Sequence, residues 1–146
     1  MATKTKVFFI LFSFVLLAIA CQHKKTETIV LESWEDGKPR KEIEYIIEDD
    51  GKKTPYKETS YHQNEEKFIE GTYDKKQERD GKWTSWFDDG KKNSQGYYKN
   101  GKLHGEYTVW YPNEKIHYTG QYKNGEQTGN WKFYDEKGNL LRELEF

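Results

Sequence analysis

The feature that most constrains this chain is a repetition. Residues 96–119 read GYYKNGKLHGEYTVWYPNEKIHYT and residues 120–143 read GQYKNGEQTGNWKFYDEKGNLLRE. Gly96, Tyr98, Gly101, Gly105, Tyr107 and Trp110 thus recur 24 residues later as Gly120, Tyr122, Gly125, Gly129, Trp131 and Tyr134. A chain with so short a period builds a stack of similar units, each too small to bury its own apolar side chains. A third unit opens at Gly71 and runs 25 residues, because Asp74 to Asp80 carries one extra. Further upstream the pattern fades. The eight-residue step from Gly37 to Tyr45 still matches that from Gly90 to Tyr98, so residues 31–70 read as degenerate copies and 71–146 as three good repeats.

Turn chemistry divides each unit in two. Asn100-Gly101 and Asn124-Gly125 are strong hairpin signals, since a type I′ turn needs positive φ at both central residues. Asp89-Gly90, Pro112-Asn113 and Lys137-Gly138 mark the opposite ends. After residue 70 no helix-length window is free of Gly or turn clusters, so each unit is expected to form two short antiparallel strands. The resulting fold class is all-β, an elongated antiparallel meander of stacked β-hairpins.

Strand alternation sorts the side chains into faces. Ile116, Tyr118, Gly120 and Tyr122 are expected on one face, as are Tyr107, Val109 and Tyr111, with Trp110 on the other. Three aromatic columns result: Tyr73, Tyr98 and Tyr122; Trp83, Tyr107 and Trp131; and, facing the opposite way, Trp86, Trp110 and Tyr134. Aliphatic residues are few, and 5 Trp and 11 Tyr stand in for them, which suits a thin sheet with an aromatic core. Gly71, Gly96 and Gly120 sit mid-strand, where glycine normally weakens a sheet. They are expected to leave room for an aromatic ring from the next strand.

The pattern Gly-x-Tyr-x-x-Gly-x-x-x-Gly-x-[Trp/Tyr], as in Gly96 to Tyr107, resembles the MORN repeat. The closer likeness is to the bacterial variant found in envelope lipoproteins and antitoxin-like proteins. The resemblance spans Gly71 to Leu144 and implies a twisted sheet of stacked hairpins that serves as an interaction or lipid-associated module. The antitoxin-like label implies binding and neutralising a partner protein. Glu114 departs from the pattern, standing where positions 90 and 138 carry Gly.

The N-terminus carries a different kind of signal. Lys4 and Lys6 precede a 14-residue, largely apolar run from Val7 to Ala20, and Cys21 comes directly after it. A membrane-spanning helix needs roughly 20 apolar residues, so this run is expected to be a signal peptide over residues 1–20. Leu17-Ala18-Ile19-Ala20-Cys21 resembles the lipobox of bacterial lipoproteins, with Ala18 where Leu is more usual. That resemblance implies cleavage before Cys21 and acylation of it, palmitate-type chains included, with residues 21–30 as lipidated cysteine and tether. More than one chain holds a protein stably on a membrane, at about 0.8 kcal/mol per buried CH₂. Gln22 at the next position implies attachment to the outer membrane, facing the periplasm.

Composition and spacing exclude several functions. Charge is balanced, 24 basic against 25 acidic residues, whereas a nucleic-acid partner calls for a clustered basic face. His23, His62, His104 and His117 lack metal-ligand spacing and the single cysteine gives no help, so neither metal nor cofactor is expected. Ser60, Ser85 and Ser94 lack a nucleophile-elbow context, and Glu65-Glu66 and Asp88-Asp89 fall in turns. No enzyme is expected. A one-layer sheet cannot bury both faces, which makes Trp86, Trp110 and Tyr134, flanked by Lys132 and Gln121, the candidate binding surface; the alternative is a structural column covered by sheet curvature and long lysine stems. The reading at this level is a non-catalytic envelope lipoprotein presenting a repeat sheet to a protein partner, in an immunity or antitoxin-like role. The alternative is a glycan- or cell-wall-binding lipoprotein whose aromatic row stacks on sugar rings.

Overall fold

The computed structural model describes residues 24–146; the signal-like segment 1–20 and the lipobox Cys21 lie outside the described residues. Ten strands succeed one another: β1 (Thr26–Ser33), β2 (Pro39–Ile47), β3 (Lys53–Tyr61), β4 (Lys67–Tyr73), β5 (Arg79–Trp86), β6 (Lys92–Lys99), β7 (Lys102–Trp110), β8 (Ile116–Lys123), β9 (Glu126–Tyr134) and β10 (Leu140–Glu145). They form one open sheet in strict chain order, every neighbour antiparallel. The degenerate half, 31–70, therefore makes the same hairpins as the well-kept half.

One row of side chains crosses the whole sheet and shows how the repeat packs. Cross-strand partners run Ile29, Ile43, Glu58 and Gly71 over the first four strands. Beyond them come Trp83, Gly96, Tyr107 and Gly120, and Trp131 pairs with Leu144 at the far end. From β4 to β9 the row alternates glycine and aromatic. The reason is space: a Cβ at Gly71 would stand 2.1 Å from the Trp83 ring, and one at Gly120 would stand 2.2 Å from that of Trp131. Each indole lies flat on its glycine and donates Nε1–H to the carbonyl one residue further on, Trp83 to Thr72 at 3.0 Å and Trp131 to Gln121 at 3.2 Å. The ladder is irregular at both glycines, skipping from Glu70 to Thr72 and from Thr119 to Gln121. That irregularity leaves the two carbonyls for the indoles.

The tyrosine column interleaves with this row. Tyr73 and Tyr98 meet Trp83 edge-on at 5.4 and 6.1 Å, and Tyr122 meets Tyr107 and Trp131 at 5.5 and 5.1 Å. Such pairs add about 0.5–1.5 kcal/mol each beyond burial. They matter here because Ile43, Trp83 and Trp131 are the only fully buried large apolar residues among the described ones. The core is a line of rings on one surface of the sheet, not a filled interior.

Bulges shift one expected face. The ladder skips Phe68, Asn93, His117 and Leu141, each one step from a turn at the same end of the sheet. Val109 pairs with Tyr118 but Trp110 pairs with Ile116, so Ile116 shares the face of Trp110 and not that of Tyr118, correcting the simple alternation. The skipped His117 lies against Tyr111 at 4.3 Å and meets Tyr118 edge-on at 5.1 Å.

Neighbouring hairpins are also tied through their turns. Asn64 Nδ2 donates to the Asp88 carbonyl and Asn113 Nδ2 to that of Glu136; Tyr111 Oη reaches the Tyr134 carbonyl at 2.9 Å. In these turns Gly37, Gly90 and Gly138 take positive φ, and Glu65 and Glu114 adopt it at 70° and 65° without being glycine.

Two outcomes are expected for stability. Gly120→Ala should lower the unfolding free energy by about 1–3 kcal/mol or more, because the ring of Trp131 must leave its bed. Gly96→Ala, whose Cβ would meet Tyr107 at 2.6 Å, should cost less; denaturant melts of the two variants give the order. Glu114→Gly should instead gain roughly 0.5–1 kcal/mol, since a left-handed residue with a Cβ costs more than the added chain entropy of glycine. A raised melting midpoint is the readout.

Candidate functional site

The face opposite the ring row is polar at its centre. Thr84, Gln95, Thr108, Thr119, Lys132 and Glu143 face one another across successive strands, with Thr108 and Thr119 hydroxyls bonded at 2.8 Å. Trp86, Trp110 and Tyr134 lie two residues on from Thr84, Thr108 and Lys132 along their strands, so this same face carries them near the turns. All three are half-buried. Their cross-strand partners are Lys92, Ile116 and Leu140.

The register also supplies a member that sequence reading missed. Tyr61 pairs with Lys67 in the same bulged setting and stands 25 residues before Trp86, the same step as Gly71 to Gly96. That step was the available signal. The row is then Tyr61, Lys67, Trp86, Lys92, Trp110, Ile116, Tyr134 and Leu140. It begins with cations between the rings and ends with aliphatics. Lys67 Nζ sits 5.8 Å from the Trp86 ring and Lys92 Nζ 5.8 Å from the Trp110 ring, a contact worth about 0.5–1 kcal/mol at exposed sites.

Only part of this row encloses space. Trp86, Lys92 and Trp110 flank an open cleft of about 490 Å³, rimmed by Asp89 and Glu114. Tyr134 does not line it. Lys132 pairs with Glu143 at 3.6 Å. Gln121 is exposed, its backbone oxygen taken by Trp131. Tyr61 is engaged otherwise: it donates to Glu42 at 2.8 Å, and burial together with that carboxylate pushes its hydroxyl up to about 12. Ile116, Leu140 and Leu141 are exposed at 38, 51 and 65%, so the aliphatic end of the row offers most of its open apolar area.

A second cluster lies on the ring face. Glu58 occupies in β3 the place that Trp83, Tyr107 and Trp131 hold in later odd strands, and it is 5% exposed. It accepts a short hydrogen bond from Tyr73, pairs with Lys41 at 2.9 Å and meets Ser60. Burial pushes its carboxyl up, but the bonds from Tyr73 and Lys41 and the charges of Lys41 and Arg79 outweigh this and hold it below the ordinary glutamate value of 4.5. The Tyr73 hydroxyl is raised by burial and by Glu58. Among the described residues no group of three or more His, Cys, Asp or Glu is placed to hold a metal, and no helix is long and apolar enough to cross a membrane.

An open array of near-identical hairpins with glycine-seated rings defines a repeat protein. Three stretches, residues 79–100, 103–124 and 127–146, match the MORN repeat variant. They coincide with the hairpins β5–β6, β7–β8 and β9–β10, a different phase from the glycine-first units of the sequence pattern. Over these three hairpins the chain is thus similar to the MORN repeat variant. A crystal structure of a protein of unknown function from Bacteroides fragilis NCTC 9343 is 17% identical, covering 85% of this chain and 94% of that one at a TM-score of 0.29, too low to carry an argument. No curated protein matches.

The ionic centre at Glu58 has a pH signature. Its folded value lies below its unfolded one, so its stabilisation is complete above the ordinary value of 4.5 and lost as pH falls through the folded value. Glu58→Gln should cost about 1–3 kcal/mol at neutral pH. It should also flatten the fall in melting temperature below pH 5 relative to wild type, read by circular dichroism across pH 3–7.

Proposed function

We propose that this chain is a non-catalytic envelope lipoprotein, held by acyl chains on Cys21, whose repeat sheet docks a partner protein through the row that includes Trp86 and Trp110. The observation that carries the reading is the character of that row. Aromatic side chains at repeat spacing stand half-buried on an otherwise polar face, with Lys67 and Lys92 between the first rings and exposed Ile116 and Leu140 between the later ones. Aromatic anchors with exposed aliphatics beside them match the apolar core of a protein interface, and the lysines suit its polar rim. A sugar site would favour flat rings with dense polar donors around them, and the aliphatic end of the row lacks these. Neutralisation of the partner, in an immunity or antitoxin-like manner, is the specific form of this proposal that the repeat variant suggests. Attachment to the outer membrane facing the periplasm is the location proposed with it.

Site-specific photocrosslinking in intact cells tests it. A benzoyl-phenylalanine in place of Ile116 should capture one protein, and the same probe in place of Glu126, at the far turns, should not. Trp110→Ala should weaken the capture on the order of tenfold to a hundredfold while leaving the melting transition cooperative. Polysaccharide in place of protein on the Ile116 adduct would move the assignment to the glycan alternative. Cys21→Ala should leave the membrane fraction; a variant that stays there rules out the lipid anchor.

A further inference from the structure

Ring packing fails at one place on the ring face, and the failure leaves a cavity. With Glu58 where later strands put Trp or Tyr, and Ser60 where β9 puts Phe133, a space of about 390 Å³ opens between the first five strands. Its lining includes Trp34, Arg40, Lys41, Glu58, Phe68 and Arg79. A volume of this size is in the range of small-ligand pockets.

The hydrogen-bonding groups of this cavity are unevenly used. Glu58 is fully engaged by Tyr73, Lys41 and Ser60. Arg79 is not: its guanidinium lies 4.0 Å over the Trp83 ring and gives one long bond of 3.4 Å to Tyr98 Oη, and it forms no ion pair among the described residues. Arg40 is stacked 5.0 Å over Trp34 and reaches Glu32 only at 3.7 Å. Beneath it the Trp34 indole N–H is buried with no acceptor among the described residues, an unfavourable state that an added acceptor would relieve. Spare capacity here consists of donors. The charges are Arg40, Lys41 and Arg79 against Glu32 and Glu58, one positive charge in excess. One planar monoanion balances that charge, whereas a phosphate dianion overshoots it beside two carboxylates. Guanidinium groups held over indoles keep a planar fork of donors that matches a carboxylate. Phe68, exposed at 46%, together with Ile69 and Trp34 offers the apolar wall.

We infer that this cavity is a binding site for a carboxylate carried on an apolar body, gripped by Arg79 and Arg40 with the Trp34 indole N–H as a further donor. Two sources share that chemistry: a free apolar carboxylic acid, or the C-terminal residue of a polypeptide. The site lies on the face opposite Trp86 and Trp110, and Tyr61 is the one member of their row that also touches it.

Indole nitrogen-15 spectra of the full chain provide the test, since its 5 Trp residues give one N–H signal each and Trp34→Phe assigns the relevant one. N-acetyl-phenylalanine should shift the Trp34 signal and leave that of Trp131, whose donor is bonded to Gln121. N-acetyl-phenylalaninamide should do nothing. Arg79→Gln should weaken the response on the order of tenfold to a hundredfold, with Arg79→Lys between it and wild type. An unmoved Trp34 signal, an equal response to the amide, or wild-type affinity in Arg79→Gln with a native Trp131 signal each overturns the inference. If Arg79→Gln unfolds, the acid-against-amide comparison on the wild-type chain decides alone. A pentapeptide ending in phenylalanine, free or amidated, separates the sources: binding of the free-ended peptide supports a polypeptide C-terminus, and binding of the small acid alone supports a metabolite.

Discussion

From β4 to β9 this sheet rests on an indole or phenol ring lying on a glycine. A single-layer sheet has no second layer to cover its apolar side, so its rings must cover one another and the backbone itself. A ring can reach the backbone only where the facing residue lacks a Cβ, which is why Gly71, Gly96 and Gly120 stand opposite Trp83, Tyr107 and Trp131. The indole N–H adds direction to the contact by bonding the carbonyl that the local irregularity frees. Hydrophobic burial, hydrogen bonding and register are thereby set by one residue pair per hairpin, and the repeat in the sequence is the record of that pair.

This origin explains how much is legible in the amino-acid sequence. The hairpins, their order and the seating of rings on glycines can all be read there, because Asn-Gly turns and mid-strand glycines leave few alternatives. The bulges cannot. Asn93 and His117 carry no residue type that announces an extra position, and a skipped residue reverses the face of its neighbours along the strand, as it does for Ile116. Tyr61 escapes notice because the glycines that mark the register thin out before residue 71, leaving only its spacing to Trp86. The cleft between Trp86 and Trp110 is half legible: the rings are a column in sequence, but the lysine between them depends on the bulge at Asn93.

The two halves of the sheet solve the same packing problem with different chemistry. Toward the C-terminus Tyr118, Phe133 and Phe146 gather around Trp131, and the ring surface closes on itself. Toward the N-terminus the same geometric row carries Ile43 and Glu58, and the surface is held by an ionic knot of Glu58, Lys41 and Tyr73. The hairpins of residues 31–70 are degenerate only as copies of a motif. Their backbone keeps the repeat while their side chains exchange packing for polarity, which is what opens a cavity there.

Every strand touches chiefly the strands before and after it in sequence, so the array is a one-dimensional lattice. In such a lattice the cost of opening is local. Loss of the last hairpin leaves the ring of Tyr107 seated on Gly96 and removes nothing from Trp83. Tension drawn along the strand-ordering axis would therefore be released hairpin by hairpin from an end, each step short and repairable, in place of a single rupture. Under load the sheet would thus give way in small steps and behave as a stepwise shock absorber.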